Sequence, residues 1–287
     1  MSGLKEIRNR IRSVSSTMQI TNAMKMVSAA KLKKAQDSIS ATLPYSNKLS
    51  GLIQNISTSG ESLDSPFFIQ RSIKKILAVA ITSNRGLCGG FNSNVIKEVS
   101  RLIETKYVSK NVEIICIGKK GRDILSKKNN VIDSFNSVYD EFSYENVKKI
   151  AELFMEKFSD ESYDEIILVY NHAKNAATQH LTIEPYLPIE EDAEESTAQA
   201  SRDYIFEPSK AEIVKELIPK SLKTQLFKAI LDSHAAEHGA RMTAMHKATD
   251  NANDLKDDLT LFYNKARQAA ITGEILEIVG GAEALKG

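Results

Sequence analysis

A glycine-rich loop in the first half of the chain has the composition of a ligand-binding turn. Residues 82–90 read Thr-Ser-Asn-Arg-Gly-Leu-Cys-Gly-Gly and follow an apolar run at 76–81 that predicts a buried strand. In α/β folds, the turn between such a strand and the next helix is where phosphate groups bind, because the helix N-terminus offers free N–H groups. If this chain were a nucleotide-using enzyme, its site would lie here.

The order of residues in this loop argues against that chemistry. It lacks the Lys-Ser/Thr ending of a phosphate-binding P-loop and the G-x-G-x-x-G order of a dinucleotide site. Cys88 is a weak candidate nucleophile, because neither of its neighbours in sequence is a base. The loop is better interpreted as a tight, glycine-permitted turn that presents its backbone and Arg85 to a partner.

A second motif has the spacing of metal ligands. His234, Glu237 and His238 match H-x-x-E-H, a zinc-peptidase pattern whose histidines share one face of a helix. The sequence shows no further acidic ligand motif, so we predict no metal site and interpret the match as a surface stripe of a long helix. We assign structural roles to His172 and His180.

The elements that position these residues begin with a long C-terminal helix. Pro219 is the last proline, so one uninterrupted helix is allowed from residue 220 to about residue 280. Residues alternately three and four apart form a coiled-coil seam along it: Met245, Ala248, Ala252, Leu255, Leu259, Phe262, Ala266 and Ala269. A seam of this kind requires a partner helix.

The N-terminal residues 3–57 supply that partner. They carry the same alternation at Ile7, Ile11, Val14, Met18, Thr21, Lys25, Ser28, Leu32, Ala35 and Ile39. Pro44 is expected to bend this helix without ending it. The centre of the seam is polar, so we expect it to shift toward the competing stripe formed by Ile20, Ala23, Met24 and Val27. Because the partners lie at opposite ends of the chain, the pairing should be antiparallel.

The middle of the chain alternates short apolar runs with amphipathic stretches. Strands are predicted at 76–82, 112–118, 131–135, 164–170 and 179–189, with a short one at 204–207; helices are predicted at 92–108, 119–128 and 144–159. This alternation indicates a mostly parallel sheet covered by helices. Pro208 and Ser209 should open the C-terminal helical region, which Pro219 should interrupt once.

The predicted fold class is therefore α/β, with a long antiparallel coiled coil of N- and C-terminal helices and a central Rossmann-like domain. We divide the chain into a coiled-coil helix at 1–60, an α/β domain at 70–207 and a second coiled-coil helix at 208–287. No apolar run approaches the roughly 20 residues that span a bilayer. Cys88 and Cys116, both in apolar or glycine-rich surroundings, indicate a reducing compartment rather than a disulfide framework.

Charge is unevenly distributed along the chain. The first 50 residues contain nine Lys or Arg and two acidic residues. The segment 190–207 has the opposite balance, with seven acidic residues and Arg202 as its only Lys or Arg. A basic helix is commonly a solvated face; otherwise it meets nucleic acid, anionic lipid or an acidic protein surface. The arginine- and serine-rich start also has the composition of a transit peptide, but its apolar period continues into the long helix, so we expect no presequence.

Three blocks of this sequence resemble one known family. They are Leu4-Lys5-Glu6-Ile7 through Ala23-Met24-Lys25-Met26-Val27, then Arg85-Gly86-Leu87-Cys88-Gly89-Gly90-Phe91-Asn92, and finally Ala240-Arg241-Met242 through Tyr263-Asn264-Lys265-Ala266-Arg267-Gln268-Ala269 and Glu274-Ile275. In this order they resemble the gamma subunit of F-type ATP synthases, in its bacterial form. Two positions depart from the family pattern: Asn84 stands where Asp is usual, and Gly239 where Ala is commoner.

The resemblance implies a rotor in the central stalk. The two-helix shaft would stand inside a ring of alternating alpha and beta subunits, and the α/β domain would lie beside epsilon and the membrane c-ring. Proton flow would turn the shaft, which itself makes and breaks no phosphate bond and needs no cofactor. Residue by residue, the family pattern implies that Arg267, Gln268 and Thr272 meet the beta catch loops; that Met24, Lys25, Arg85 and Cys88 face the beta levers; and that Tyr204 and Glu207 lie near epsilon and the c-ring.

The same resemblance implies a peripheral protein at the cytoplasmic face of the bacterial inner membrane. Two other functions remain open at this point. One is a nucleotide- or phosphate-using enzyme with its site at 85–90, and the other is a basic coiled-coil protein that binds nucleic acid. Neither alternative accounts for the agreement of all three blocks with a single family. If the protein is a rotor subunit, nucleic acid is not among its partners.

Overall fold

The computed structural model describes residues 2–58, 65–175, 178–189 and 210–284. The chain divides into two compact units, one formed by Met1–Ser28 with Met242–Gly287 and the other by Ala29–Arg241. Two long helices contribute to both units: α1 (Ser2–Thr58) and α5 (Lys210–Ala284). Pro44 lies within α1, which continues past it as expected.

In the first unit, α1 and α5 run antiparallel. The Nη2 atom of Arg8 donates to the hydroxyl of Tyr263 at 2.6 Å, and the hydroxyls of Thr21 and Thr249 lie 2.8 Å apart. The residue number of the partner on α5 falls as the number on α1 rises, so the two chain directions are opposite. The predicted antiparallel pairing of the two ends of the chain is confirmed.

The seam predicted on α1 is confirmed, but its predicted shift to a second face is wrong. Thr21 is 9% exposed and Ser28 2% exposed, whereas Ile20 and Val27 of the competing stripe are 60% and 57% exposed. The small polar side chains fit the seam because the helix satisfies them: Thr21 donates to the carbonyl of Met18, and Ser28 to that of Met24.

On α5, the predicted seam is wrong at Leu255, Phe262 and Ala269, which are exposed, and right at Met245, Ala248, Ala252, Leu259 and Ala266, which are buried or half-buried. Leu255 is 49% exposed and Phe262 is 58% exposed, while the residues that follow them, Lys256 and Tyr263, are half-buried. The seam therefore keeps the predicted period but is displaced by one residue at these two positions. Tyr263 lies in the seam, where it makes two contacts with Arg8 of α1. Its hydroxyl accepts a hydrogen bond from the guanidinium, and its ring makes a cation–π contact with the guanidinium carbon, 5.5 Å from the ring centroid.

The second unit contains a five-stranded sheet. Its strands are β1 (Lys75–Ile81), β2 (Asn111–Ile117), β3 (Val131–Ser134), β4 (Glu165–Ala173) and β5 (Gln179–Leu187). Their order is β3-β2-β1-β4-β5; the first four are parallel, and β5 pairs antiparallel with β4. Each of these five strands was predicted to within three residues of its observed ends.

Helices connect the strands as the alternating pattern predicted. They are α2 (Phe91–Thr105), α3 (Lys119–Leu125) and α4 (Tyr144–Ser159), with short 3₁₀ turns at Pro66–Phe68 and Ser137–Tyr139. Ser143 caps α4 by accepting a hydrogen bond from the N–H of Asn146. The predicted fold class, two long terminal helices with a central α/β sheet, is confirmed.

Both faces of the three central strands β1, β2 and β4 are buried over most of their length, as parallel strands between two layers of helices require, whereas the edge strands β3 and β5 are partly exposed. On one face, Val95, Val99 and Leu102 of α2 cover the apolar side chains of alternate strand positions such as Ala78 and Ile114. On the other face, α4 and the first part of α5 cover the intervening positions. Apolar side chains of α5 between Ile213 and Ile230 are thus part of the α/β core.

The predicted interruption of the C-terminal helix at Pro219 is wrong, because α5 runs through it. A proline inside a helix costs about 3 kcal/mol through its missing N–H and its steric clash. Burial offsets that cost here: Ile218 and Leu222, on either side of the proline, are 2% and 1% exposed in the core shared with α4.

Two predictions fall on residues outside the described part of the chain. They are the exposed acidic loop after Pro188 and the short strand at 204–207. Within the described ranges, none of the helices combines the length and apolar character that a membrane crossing requires.

Candidate functional site

The loop at 82–90 lies where an open α/β sheet binds ligands. After β1 the chain builds β2 and β3 on one side of that strand, and then returns to place β4 on its other side. The carboxyl ends of β1 and β4 therefore flank the point where the strand order reverses, which is the usual ligand crevice of such folds. The loop lies between a strand and a helix, as the sequence predicted. Whether this crevice can bind a ligand depends on which side chains fill it.

Internal hydrogen bonds hold the loop in one shape. The N–H of Ser83 donates to Oδ1 of Asn92 at 2.9 Å, and the Ser83 hydroxyl donates to the carbonyl of Arg85 at 2.6 Å. Leu87 and Gly89 adopt left-handed conformations, with φ of 62° and 58°. A glycine takes this conformation at little cost, but a leucine is strained in it.

Arg241 of helix α5 binds the backbone of the loop. Its guanidinium donates to the carbonyl of Arg85 at 3.1 Å, to that of Gly86 at 3.2 Å and to Oε1 of Glu237 at 2.6 Å. Arg241 and Glu237 are each 7% exposed, so this ion pair is buried. In a phosphate-binding site, a cationic side chain would contact the ligand. Here the Arg241 guanidinium instead binds the loop carbonyls and so joins α5 to the loop.

A second polar contact joins α5 to the end of β4. Nδ1 of His172 lies 2.9 Å from Oδ2 of Asp232, whose side chain is buried. Burial raises the pKa of Asp232, and the hydrogen bond from His172 opposes that rise. The side chain of Asn171 donates to the carbonyl of Phe91 at the start of α2. The crevice is thus lined by contacts within the protein, and His172 has the structural role predicted for it.

Cys88 anchors the loop from below. Its side chain is 2% exposed and packs with Phe91 against Ala236 and Ala240 of α5. Asn92 donates to its sulfur at 3.2 Å. Burial is the largest influence on this thiol and raises its pKa, so it is protonated at neutral pH and unsuited to nucleophilic attack.

The H-x-x-E-H motif is not the surface stripe that the sequence predicted. Glu237 and His238 are 7% and 5% exposed, and the ring of His234 stacks with those of Tyr139 and Phe142. The prediction was wrong because this part of α5 belongs to the α/β unit, where the loop and the segment 137–142 cover it. Among the described residues, no group of three or more His, Cys, Asp or Glu is arranged to hold a metal ion.

The two histidines of the motif form a neutral pair. Their Nε2 atoms are 3.1 Å apart, and Nδ1 of His238 faces the Arg241 guanidinium at 3.5 Å. Because a guanidinium only donates, His238 accepts at Nδ1 and donates from Nε2 to His234. Burial, with the positive charges of Lys31 and Arg241 nearby, lowers the pKa of His234 to about 4 and that of His238 to about 3.

The residues predicted to contact partners differ in their exposure. Arg267, Gln268 and Thr272 are exposed near the end of α5, within the first unit. Met24 and Lys25 are half-buried on α1, and Arg85 is exposed at the loop. Cys88 is buried beneath that loop, so it supports Arg85 rather than presenting its own side chain. Tyr204 and Glu207 lie outside the described residues.

Sequence reasoning missed the polar residues that bind α5 to the sheet. Asp232, Glu237 and Arg241 were not assigned a site, although Glu237 and Arg241 have the i, i+4 spacing of a helical ion pair. That spacing is common on exposed helices and does not by itself indicate burial. The exposed, left-handed Leu87 was missed as well, since no local sequence pattern marks it.

Comparison with known proteins gives one family. The family model described as ATP synthase matches residues 3–285. The ATP synthase gamma chain of Flavobacterium psychrophilum is 63% identical over 291 residues, and that of Flavobacterium johnsoniae is 62% identical over 288 residues; each alignment covers all of both chains. The resemblance found in the three sequence blocks thus extends over the full length.

Solved structures agree on the fold. A chain of the Euglena gracilis mitochondrial ATP synthase described as OSCP/F1/c-ring, rotational state 3, has a TM-score of 0.69 at 22% identity, with 99% of this chain and 95% of that chain covered. A chain of the rotor of the same enzyme in rotational state 1 has a TM-score of 0.67 at 23% identity, with 94% and 99% covered. Full-length identity above 60%, a matching family model and a shared fold place this chain in the ATP synthase gamma chain family, in its bacterial form.

Proposed function

We propose that this chain is the central-stalk rotor subunit of an F1Fo ATP synthase, which transmits torque between the proton-driven c-ring and the catalytic ring of alpha and beta subunits. It performs no catalysis itself. The observation that carries this proposal is the Arg241 contact: at the one crevice where an α/β sheet of this topology binds ligands, the guanidinium binds the carbonyls of Arg85 and Gly86.

That contact has a mechanical consequence. Torque received by the α/β domain reaches the shaft only if helix α5 is fixed to the sheet. Arg241 fixes it at the loop, Asp232 fixes it at the end of β4, and Lys223 forms an ion pair of 2.7 Å with Glu152 on α4. Apolar burial of the first part of α5 in the same core adds to these directional contacts.

The surface of the first unit supplies the partner contacts in this proposal. Arg267, Gln268 and Thr272 contact the beta catch loops, and Met24 with Lys25 faces the acidic beta levers, as Arg85 does from the loop. Leu255 and Phe262, which the seam leaves exposed, fit an apolar contact with the surrounding ring. Opposite charges on the basic shaft and the acidic levers favour correct docking.

The remaining contacts lie at the α/β domain, for which we propose the boundaries 70–207 between coiled-coil helices at 1–60 and 208–287, the first part of the second helix packing in the core of that domain. Tyr204 and Glu207 contact epsilon and the c-ring in this proposal. Membrane association is indirect, through the c-ring, at the cytoplasmic face of the bacterial inner membrane. The protein uses no cofactor and no nucleic acid.

The deciding experiment is reconstitution of the complex with Arg267→Ala and Gln268→Ala combined. We expect lower ATPase turnover and weaker proton pumping, with an unchanged unfolding curve of the isolated chain, because both side chains are exposed. The matched control is Lys127→Ala with Lys128→Ala, two exposed residues after α3, which should change neither activity. Normal ATPase turnover and proton pumping in the Arg267→Ala, Gln268→Ala variant would show that these two side chains do not make the proposed contacts.

The enzyme alternative is tested on the purified chain alone. If the crevice at 82–90 held a nucleotide, ATP or ADP would bind at micromolar concentration and protect the chain against thermal unfolding. We expect no such protection, because Arg241 and the buried Cys88 occupy the position that a phosphate would need.

A further inference from the structure

Two histidines lie opposite each other on the last two strands of the sheet. His172 on β4 pairs with His180 on β5 in the antiparallel register. Directly opposite residues of such a pair point to the same face, with their Cβ atoms about 4.5–5.5 Å apart. Both residues are exposed. Their separation along the chain does not indicate this proximity, which arises only from the pairing of the strands.

Asp232 of α5 orients the ring of His172. Its Oδ2 lies 2.9 Å from Nδ1 of His172, so Nδ1 carries the proton and the lone pair of Nε2 is available to a ligand. The Asp232 side chain is 3% exposed, whereas that of His172 is 48% exposed. A carboxylate bound to one nitrogen of a histidine is the arrangement that fixes metal-binding histidines, because it sets the tautomer and makes the other nitrogen more basic.

The spacing of the two histidines suits a single metal ion. Zn–N bonds are about 2.0–2.1 Å long, so two nitrogens at tetrahedral positions are about 3.3 Å apart. The side chain of His180 is exposed and free to rotate about its Cα–Cβ bond, which brings its ring toward Nε2 of His172. Imidazole ligands bind zinc, copper and nickel, whereas magnesium and calcium prefer oxygen ligands.

The charged groups around this pair are of both signs. Lys228 on α5 and Glu184 on β5 act on the carboxyl of Asp232 in opposite directions. Lys174 is exposed two residues beyond His172. Its positive charge weakens the binding of a cation, so the site is expected to hold its ion reversibly.

We propose that His172 and His180 chelate a divalent transition-metal ion of the zinc class, with Asp232 orienting His172 and with water completing the coordination. The ion is structural and takes no part in a reaction, so this inference does not depend on the rotor function. It joins β5 to β4 and, through Asp232, to α5. Such a link matters most at β5, which within the described part of the chain pairs with β4 alone.

The experiment measures zinc binding and thermal unfolding of the purified full-length chain after removal of metal with EDTA. We expect one zinc ion per chain and a saturable rise in the unfolding midpoint, because a ligand that binds the folded state stabilises it. Magnesium at the same concentration should give no rise. His180→Gln should abolish the rise, while its midpoint without metal stays unchanged because the side chain is exposed.

Two further variants separate the possible causes. Asp232→Asn should weaken zinc binding by about 10- to 100-fold, the usual effect of removing a carboxylate behind a metal-binding histidine. His246→Gln removes another exposed histidine, beside Asp250 on α5, and should leave zinc binding unchanged. A rise in midpoint that survives in His180→Gln, or one that is lost equally in His246→Gln, would mean an adventitious ion only and would overturn the proposal.

The imidazole proton signals of the chain identify the ligands directly. Of its five histidines, His172 and His180 should be the two whose signals shift during a zinc titration followed by NMR. Shifts confined to the other three histidines, or no shift at all, would overturn the assignment.

Discussion

Arg241 on helix α5 donates a hydrogen bond to the backbone carbonyl of Arg85, 156 residues earlier in the chain, at a distance of 3.1 Å. The same guanidinium forms a buried ion pair with Glu237. One side chain thus neutralises a buried carboxylate and satisfies loop carbonyls. Its removal should therefore affect both the stability of the α/β unit and the attachment of the helix to the loop.

We predict that Arg241→Met lowers the free energy of unfolding by about 3 kcal/mol, because it leaves Glu237 without its buried partner. Burial already raises the pKa of Glu237, so protonation of that carboxyl limits the loss. Urea unfolding at pH 7 measures the change. Adding Glu237→Met should restore part of the stability, since the unpaired carboxyl is then absent. Additive losses in the double variant would contradict the pairing.

The control for this prediction is another i, i+4 ion pair on the same helix. Lys220 and Glu216 are in contact at the surface, where solvent screens their interaction. Lys220→Met should therefore leave the urea midpoint unchanged. A similar loss in both variants would mean that the effect arises from helix propensity rather than from the buried network.

Gly118 offers a second test, this time of backbone geometry at the end of β2. Its φ is 108°, and a Cβ placed there would lie 2.1 Å from the carbonyl oxygen of Thr82. Gly118→Ala should therefore cost about 4 kcal/mol or more, at the exceptional end for single substitutions. Gly273 in α5 has no neighbour within 4 Å of such a Cβ, so Gly273→Ala should stabilise by about 0.5–1 kcal/mol. Equal effects in thermal unfolding would refute this geometry.

Periodicity was sufficient to predict the sheet and the α1 seam. The central strands are apolar on both faces because helices cover both sides, and this produces continuous runs such as that at Lys75–Ile81. Along α1, Ile7, Ile11 and Val14 keep one phase, which the structure follows. These are local signals, since each depends on residues within a few turns of one another.

The phase of the α5 seam could not be predicted in the same way. Leu255 and Phe262 are more apolar than Lys256 and Tyr263, and hydrophobicity alone assigns the first two to the seam. The structure exposes them, and Tyr263 instead receives Arg8 from α1. The choice depends on Arg8, a residue 255 positions away from Tyr263.

The candidate site was predicted in position but not in mechanism. The loop at 82–90 and the exposed Arg85 follow from the strand-to-helix turn that the sequence predicts. The hydrogen bonds from Arg241 to the loop carbonyls could not be predicted, because they join segments that are distant in sequence. The burial of His234 and His238 was missed for the same reason: a helical stripe does not reveal which other element covers it.

The hydroxyls of Thr21 and Thr249 provide a test of the pairing between α1 and α5. They are 2.8 Å apart, so one hydroxyl donates to the other, and the hydroxyl that accepts donates its own proton to a carbonyl of its helix. Thr21→Val leaves the Thr249 hydroxyl without its partner and should cost about 1 kcal/mol. Thr21→Val with Thr249→Val removes both hydroxyls, so it should cost less than the sum of the single changes. A double-mutant cycle measures this coupling, and a coupling of zero would place the two hydroxyls apart in solution.

The neutral histidine pair predicts a loss of stability in mild acid. Burial lowers the pKa of His234 to about 4 and that of His238 to about 3, below the unfolded value of about 6.5. Between the folded and unfolded values the unfolded chain binds more protons, so stability is complete above about pH 6.5 and falls as the pH decreases. Each histidine contributes a slope of at most about 1.4 kcal/mol per pH unit.

His238→Gln should reduce that slope between pH 6.5 and 5, measured as the difference in unfolding free energy between the variant and the original chain. The comparison is needed because the raised pKa of Glu237 acts in the opposite direction: its protonation stabilises the folded state as the pH falls, and it does so in both chains. His246, which is exposed beside Asp250 on α5, supplies the control, and His246→Gln should leave the slope unchanged. An identical slope in His238→Gln and the original chain would mean that His238 is already accessible to protons in the folded state.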